Sequence, residues 1–244
     1  MLRIDVAGDW AHFRRFYTTS SPLTFALFPP TAIYGLIGSI LGLDKEENAY
    51  LQLVNGRTSF IAVKLLNPVK KLRMGVNHVN TKGNIWVPKQ RREGARTQIR
   101  VEYLRDPAYR LYVHLVDQNC FEQLIHYVKQ GLSVYTPCLG QSELMATVRF
   151  AGLCEYERYE SSSPVPVTTA ILADSLNAKG IVLSDGLKLH KETLPLDMLP
   201  DRSVLRYAPV IYNAEAGIIE AQAKGLWRGE EGDFVTGLVG DRVE

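Results

Sequence analysis

The sequence predicts an α+β fold with a ferredoxin-like strand order, and three observations predict it. Residues 1–7 alternate Leu2, Ile4 and Val6 against Arg3 and Asp5, the period-two signature of a half-buried strand. Runs rich in β-branched and aromatic residues at Thr58–Leu66, Ile99–Leu104 and Tyr109–Leu115 supply further strands. Between them lie two helical patterns, from Ala32 to about Leu41 and from Asn119 to Lys129, the second with Phe121, Leu124, Ile125 and Val128 on one face. To residue 159 the order is β-α-β, a long insertion, then β-β-α-β: the ferredoxin-like order with an excursion after its second strand and one extra strand.

Each element follows from local chemistry. Pro29 and Pro30 stop any strand, and Thr31 then stands where a helix cap is needed. Gly35, Gly38 and Gly42 thin one side of that helix, which lets a neighbour approach closely. A short helix is expected around Glu46–Val54. Asp106-Pro107 joins two strands, and Gly131 ends the second long helix. Tyr135–Glu143 is a turn-rich link and Leu144–Tyr159 a strand region. The Ser161-Ser-Ser-Pro-Val-Pro166 stretch is the best internal boundary. Beyond it short strands are expected near Gly180–Leu183, Leu187–Leu189, Val204–Ile211 and Phe234–Leu238. The chain thus divides into a main domain, 1–158, and a small β-rich C-terminal segment, 159–244.

With 244 residues, 46% of them hydrophobic, the chain can bury a full core without staples. Its N-terminus has no apolar signal region. The longest apolar run, near Phe25–Leu43, is broken by two prolines and three glycines, so no membrane span and a cytoplasmic location are expected. Cys120, Cys138 and Cys154 build no zinc or redox motif and fit a reducing compartment. The glycines of residues 35–42 lie inside a helix and lack the Lys-Ser/Thr of a phosphate-binding loop. His12, His78, His114, His126 and His190 are scattered, so neither a metal nor a cofactor is expected.

Charge is distributed unevenly. The formal net charge is +2, yet residues 64–110 carry twelve Lys/Arg against Glu93, Glu102 and Asp106, a net of +9. Such asymmetry fits a polyanion contact or a solvated surface loop. Within this stretch a basic excursion, about 67–98, is too long for an ordinary connection. Lys70, Lys71, Arg73, Lys82, Lys89, Arg91, Arg92, Arg96 and Arg100 recur along it and just beyond, with His78 and Trp86 interleaved. Cations along a track suit phosphates and flat rings suit unstacked bases, the pairing that single-stranded RNA recognition uses. A second candidate follows the first strand. In His12-Phe-Arg-Arg-Phe-Tyr17, Arg14 and Arg15 can clamp phosphates, while Phe13, Phe16 and Tyr17 can stack bases or fill core.

The stretch Phe28-Pro-Pro-Thr-Ala-Ile-Tyr-Gly-Leu-Ile-Gly-Ser-Ile-Leu-Gly42 resembles the signature helix of the Cas-five family, CRISPR-associated RAMP proteins of type I Cascade complexes. Tyr135-Thr-Pro-Cys-Leu-Gly-Gln-Ser-Glu143 looks like that family's second glycine-containing turn, and the basic excursion falls where the family carries a thumb-like β-hairpin. The resemblance covers roughly the first 150 residues. It implies an RRM-like RAMP domain with a long basic β-hairpin thumb. It also implies a non-catalytic RNA-binding subunit of a Cascade surveillance complex in antiviral defence. That subunit holds the 5′ handle of the guide crRNA, adjoins the backbone and large subunits, and meets target DNA through the complex. By motif position, RNA contact is expected at Arg14, Arg15, Thr31, Tyr34, Gly140, Gln141 and the thumb residues. Length and thumb look most like type I-B.

The alternative is a metal-independent endoribonuclease that processes CRISPR repeat RNA, as in the family's type I-C branch. That chemistry needs a base and an acid placed about a 2′-OH. The branch's adjacent Lys-His pair is lacking here, and His190-Lys191 is reversed and falls in the variable C-terminal part. His12, Tyr17 and His78 remain as candidates. A ferredoxin-like protein unrelated to RNA is a third reading, and it leaves the +9 segment unexplained.

Overall fold

Alternation along the first strand sets up the central sheet. The computed structural model describes residues 1–18, 21–79 and 96–240. Strand β1 (Leu2–Ala7) buries Leu2, Ile4 and Val6 on one face. Next come β2 (Trp10–Ala11), helix α1 (Pro30–Leu41), a single 3-10 turn (Glu46–Asn48) and α2 (Tyr50–Leu53). Then follow β3 (Ser59–Leu65), β4 (Lys71–Val79), β5 (Arg96–Arg105), β6 (Ala108–Leu115), α3 (Gln118–Gln130), β7 (Thr147–Leu153) and β8 (Tyr156–Tyr159). The C-terminal part holds β9 (Val165–Val167), β10 (Ile171–Leu172), β11 (Leu176–Ile181), β12 (Leu189–Met198), β13 (Val204–Asn213), β14 (Ile219–Ala223), β15 (Leu226–Gly229) and β16 (Phe234–Thr236).

The central sheet has the order β3–β6–β1–β7, with every neighbour antiparallel. Asp5 lies opposite Arg110 in this sheet. The Arg110 guanidinium donates bonds of 2.7 and 2.8 Å to the two Asp5 oxygens, a two-point pairing that also fixes register. Helices α1 and α3 pack against one another and, with β1, β3 and β6, share the main core. Three further sheets surround it: β2–β5–β4, β10–β13–β12, and the mixed six-stranded β11–β14–β9–β16–β15–β8. The main core does not stop at the expected boundary near residue 158. It continues through Leu194, Leu196, Val210 and Tyr212 to Val239. Among the described residues no helix is long and apolar enough to cross a membrane.

Several elements differ from expectation for identifiable reasons. Helix α1 begins at Pro30, after an extended Pro29, and no side chain caps it. Proline at the first helical position has its φ already set and has no N–H to satisfy, so Thr31 is freed from the capping role and falls within the first turn. Helix α3 does use a side-chain cap: the Asp117 carboxylate accepts the Cys120 N–H at 2.8 Å, and Gly131 closes the helix in the left-handed conformation. The expected short strand at Leu187–Leu189 is instead the ten-residue β12, which runs through Pro195. Proline is tolerated there because β12 is the outer strand of its sheet, where a missing N–H breaks no ladder.

Tyr34, expected at an RNA contact, is fully buried in α1, and its hydroxyl donates to the Leu196 carbonyl at 2.9 Å. It joins the first helix to β12 and lies in the core rather than on a surface. Tyr34→Phe removes the only donor the hydroxyl supplies to that carbonyl, so urea unfolding is expected to show a loss of about 1–3 kcal/mol with an unchanged m-value. Unaltered stability would contradict this structural role.

Candidate nucleic-acid interface

The loop after β2 is folded by its own backbone. The Phe25 N–H donates to the Phe13 carbonyl at 2.8 Å and the Arg15 N–H to the Leu23 carbonyl at 2.9 Å, while the Phe13 N–H donates to Thr24 Oγ1. Phe13 is buried and stacks on Phe28 with centroids 4.6 Å apart, so of the three aromatic candidates it is core. The His12 N–H donates to the Leu139 carbonyl at 3.0 Å, which brings the 139–141 turn alongside. The approach is so close that a Cβ on Gly140 would stand 2.0 Å from the His12 carbonyl oxygen, and Gly140 has φ +98°. Only glycine fits here.

This docking forms a cleft of about 320 Å3 lined by His12, Phe13, Arg14, Thr31, Gly140 and Gln141 among others. Four of the sequence-derived candidates therefore meet in one place, although they come from three separate stretches of chain. Arg14 is held by a bond of 3.0 Å to the Thr18 carbonyl. The Gln141 side-chain oxygen is buried and has no hydrogen-bond donor among the described residues, so it is an unspent acceptor at the edge of this cleft.

A second group of candidates lies on the β4–β5 hairpin. In its register Lys71 pairs with Leu104, Arg73 with Glu102, Gly75 with Arg100, Asn77 with Gln98 and Val79 with Arg96. Paired residues of an antiparallel ladder share a face. Lys71, Arg73, Arg96 and Arg100 consequently stand together, with Glu102 the one acid on that face among the described residues. The opposite face carries Leu72, Met74, Val76, Ile99, Val101 and Tyr103, together with His78. His78 is thus separated from the cations it was expected to accompany, because its position has the other parity. Lys70 precedes β4 and is exposed. Lys82, Trp86, Lys89, Arg91 and Arg92 lie outside the described residues.

Two acids organise the base of this hairpin. Glu192, on β12, pairs with Arg15 and, at 3.3 Å, with Lys71, and accepts the Ala26 N–H at 2.9 Å. Glu102 pairs with Arg73 at 3.3 Å and Lys71 at 3.8 Å and accepts the Thr24 N–H. Arg15 also donates to the Thr24 carbonyl and the Tyr17 hydroxyl. Arg15 and Lys71 therefore spend much of their bonding capacity inside the protein. Together with Tyr17, Phe25, Lys188, His190 and Lys191 they line a second cleft of about 610 Å3. The β12 residues of this cleft were missed in the sequence. Their signal was the Lys188-Leu-His-Lys191 run, but nothing local linked it to Arg15. Among the described residues no group of three or more His, Cys, Asp or Glu side chains is placed to hold a metal ion.

The fold is shared with CRISPR proteins. A chain titled "Crystal structure of a CRISPR protein from Archaeoglobus fulgidus" superposes with a TM-score of 0.55 at 16% identity, covering 97% of this chain and 99% of that one. A chain of a "CRISPR RNA-guided surveillance complex" gives 0.52 at 10% identity, covering 97% and 91%. A chain of a Type III-B Cmr-beta complex bound to cognate target RNA and AMPPnP gives 0.51 at 11%, covering 89% and 86%. Among curated proteins no sequence match was found. Residues 1–214 match the family model described as "CRISPR-associated protein (Cas_Cas5)", and the chain belongs to that family.

Two imidazoles, His12 buried and His114 half-buried, give the fold a pH dependence. His12 is 3% exposed and donates from Nδ1 to the Glu102 carbonyl at 2.7 Å. Burial pushes its pKa below the usual 6.5, against the opposing pull of that hydrogen bond. Burial also lowers His114, helped by the N-terminal ammonium. As pH falls below 6.5 the unfolded chain takes up protons that the folded chain refuses, so stability drops with acidification. Thermal unfolding between pH 7.5 and 5 is expected to show a Tm decline that is shallower in His12→Gln than in the wild type. Parallel declines would contradict a neutral, buried His12.

Proposed function

We propose that this protein is a non-catalytic RNA-binding subunit of a type I Cascade surveillance complex, where it holds the 5′ handle of the guide crRNA beside the backbone and large subunits. The observation that carries this reading is the two-faced β4–β5 hairpin, which gathers Lys71, Arg73, Arg96 and Arg100 on one side. Spaced cations on an extended ladder match the repeat of a nucleic-acid backbone, and each phosphate neutralised releases counterions. The smaller cleft adds polar recognition: Arg14 for a phosphate, and the Gln141 amide, once its unpaired oxygen turns into the cleft, for a ribose 2′-hydroxyl, the group that distinguishes RNA. In this reading the β3–β6–β1–β7 sheet with α1 and α3 is the ferredoxin-like RAMP domain, the hairpin is the family's thumb, and residues 159–244 are an accessory β-rich part. The subtype reading remains type I-B, and the complex works in the cytoplasm.

The arrangement of proton-transfer groups favours binding over cleavage. A carbonyl only accepts, so His12 Nδ1 carries the proton and Nε2 the lone pair, the form a general base needs. Its tyrosine neighbour, Tyr103, lies 5.5 Å away between ring centroids but is buried, and burial raises its pKa, so it is poorly placed to give a proton to a bound RNA. Tyr17 lines the other cleft with its hydroxyl engaged by Arg15, and His78 stands on the hairpin. Without two positioned groups, cations bind substrate and transition state alike and leave the rate unchanged.

Anisotropy titrations of a short single-stranded RNA over a range of salt concentrations test the proposal. Arg73→Ala with Arg100→Ala is expected to weaken binding and reduce the log–log salt slope by about 1.4, two phosphates at about 0.7 each. An unchanged slope would mean the RNA runs elsewhere. Metal-free incubation with CRISPR repeat RNA is expected to leave it intact, and specific cleavage lost in His12→Ala would instead establish the nuclease.

A further inference from the structure

The larger cleft, of about 610 Å3, takes its walls from two strands that each end a sheet, β4 and β12. Beside it lies a patch of three exposed rings. Phe16, Tyr17 and Tyr207 are 60%, 57% and 42% exposed, and although single exposed rings are common, a contiguous patch of them marks a contact surface. Phe16 meets Tyr207 with centroids 4.7 Å apart and Tyr17 at 5.1 Å, so the three form one surface. Tyr17 belongs to both features: it lines the cleft, and its hydroxyl accepts the Arg15 N–H at 2.6 Å, which fixes the ring.

We propose that this cleft and its aromatic rim form a second single-stranded RNA subsite, in which an unpaired base stacks on the Phe16–Tyr17–Tyr207 surface while the adjoining phosphate lies against Lys191 and Lys188. This inference rests on the RNA-binding reading above and assigns part of that role to the C-terminal β12–β13 hairpin. Glu192 already engages Arg15 and Lys71, so the charge offered to a ligand comes from Lys188, just before β12, and Lys191 on it. Among the described residues Lys191 has no ion-pair partner. Lys188 is paired with Glu215 at 2.6 Å, but both side chains are largely exposed, where an ion pair is weak and a phosphate can compete. Ring faces accept any base, so the subsite grips an unstacked nucleotide without reading its identity. A duplex, whose bases are already stacked, offers it nothing.

The test uses the full chain with a short fluorescein-labelled oligouridylate containing 4-thiouridine, and a duplex of the same length. Tyr207→Ala is expected to lower single-strand affinity roughly tenfold to a hundredfold with the salt slope intact, as the loss of one stacking contact requires. Lys191→Ala is expected to weaken binding and reduce the slope by about 0.7. Photocross-links are expected on Phe16, Tyr17 or Tyr207. Both are exposed positions, so both variants are expected to fold. If both variants bind like the wild type and the cross-links fall elsewhere, while Arg73→Ala with Arg100→Ala still weakens binding, this subsite is overturned and the functional reading stands. If the wild type binds no single strand, both are overturned. If Tyr207→Ala binds RNA normally but fails to join partner subunits, the rings dock protein and the subsite is overturned.

Discussion

Glu192 joins three stretches of chain that are remote in sequence: the loop after β2 through Arg15 and the Ala26 N–H, the base of the hairpin through Lys71, and its own strand β12. Its carboxylate is largely withdrawn from water. Such a charge is tolerable only with partners on every side, and stripping a partner from a buried ion pair costs about 3–5 kcal/mol. The cost works as a constraint in both directions. Arg15 and Lys71 cannot leave Glu192 cheaply, so the loop, the hairpin and β12 hold fixed positions. Both clefts depend on that arrangement, because Phe25 lines each of them from the segment Glu192 anchors.

Glu102 extends the same logic one step up the hairpin, with Arg73 and Lys71 on one side and the Thr24 N–H on the other. The cations thus divide by height. Lys71, at the base, serves the fold; Arg73 pairs with Glu102 but stays largely exposed; and Arg96 and Arg100, further along the same face, have no carboxylate partner among the described residues. A strand pairing that puts every second residue on one face converts a basic composition into a directed surface. The result is a charged arm held on a rigid foot.

Legibility followed the physics of each segment. Strands β1, β3 and β6 and helix α3 were readable because one face is buried, so their apolar periods are written into the sequence. Of the hairpin, Ile99–Leu104 in β5 was readable, but β4 was not, since Lys71–Val79 buries little and its alternation separates cations from modest apolar residues. Nor can sequence supply the register that sets Arg73 and Arg100 together and His78 apart. Strand β12 was hidden by Pro195, which forbids a central strand but not an outer one. At the site, Arg14, Thr31, Gly140 and Gln141 were found by motif and do converge. Tyr34 shared that motif for packing reasons instead. The larger cleft stayed invisible because Lys188–Lys191 reaches Arg15 only through tertiary contact.

If Glu192 holds the loop to β12, its energy must be shared with Arg15 rather than assigned to each alone. A double-mutant cycle of Arg15→Met and Glu192→Gln, read by urea unfolding, measures that sharing directly. The account predicts a coupling energy of about 1–3 kcal/mol, in the range found for hydrogen-bonded partners that shield one another from water. Effects that add to within about 0.3–0.5 kcal/mol would contradict it and leave the two clefts without their common anchor.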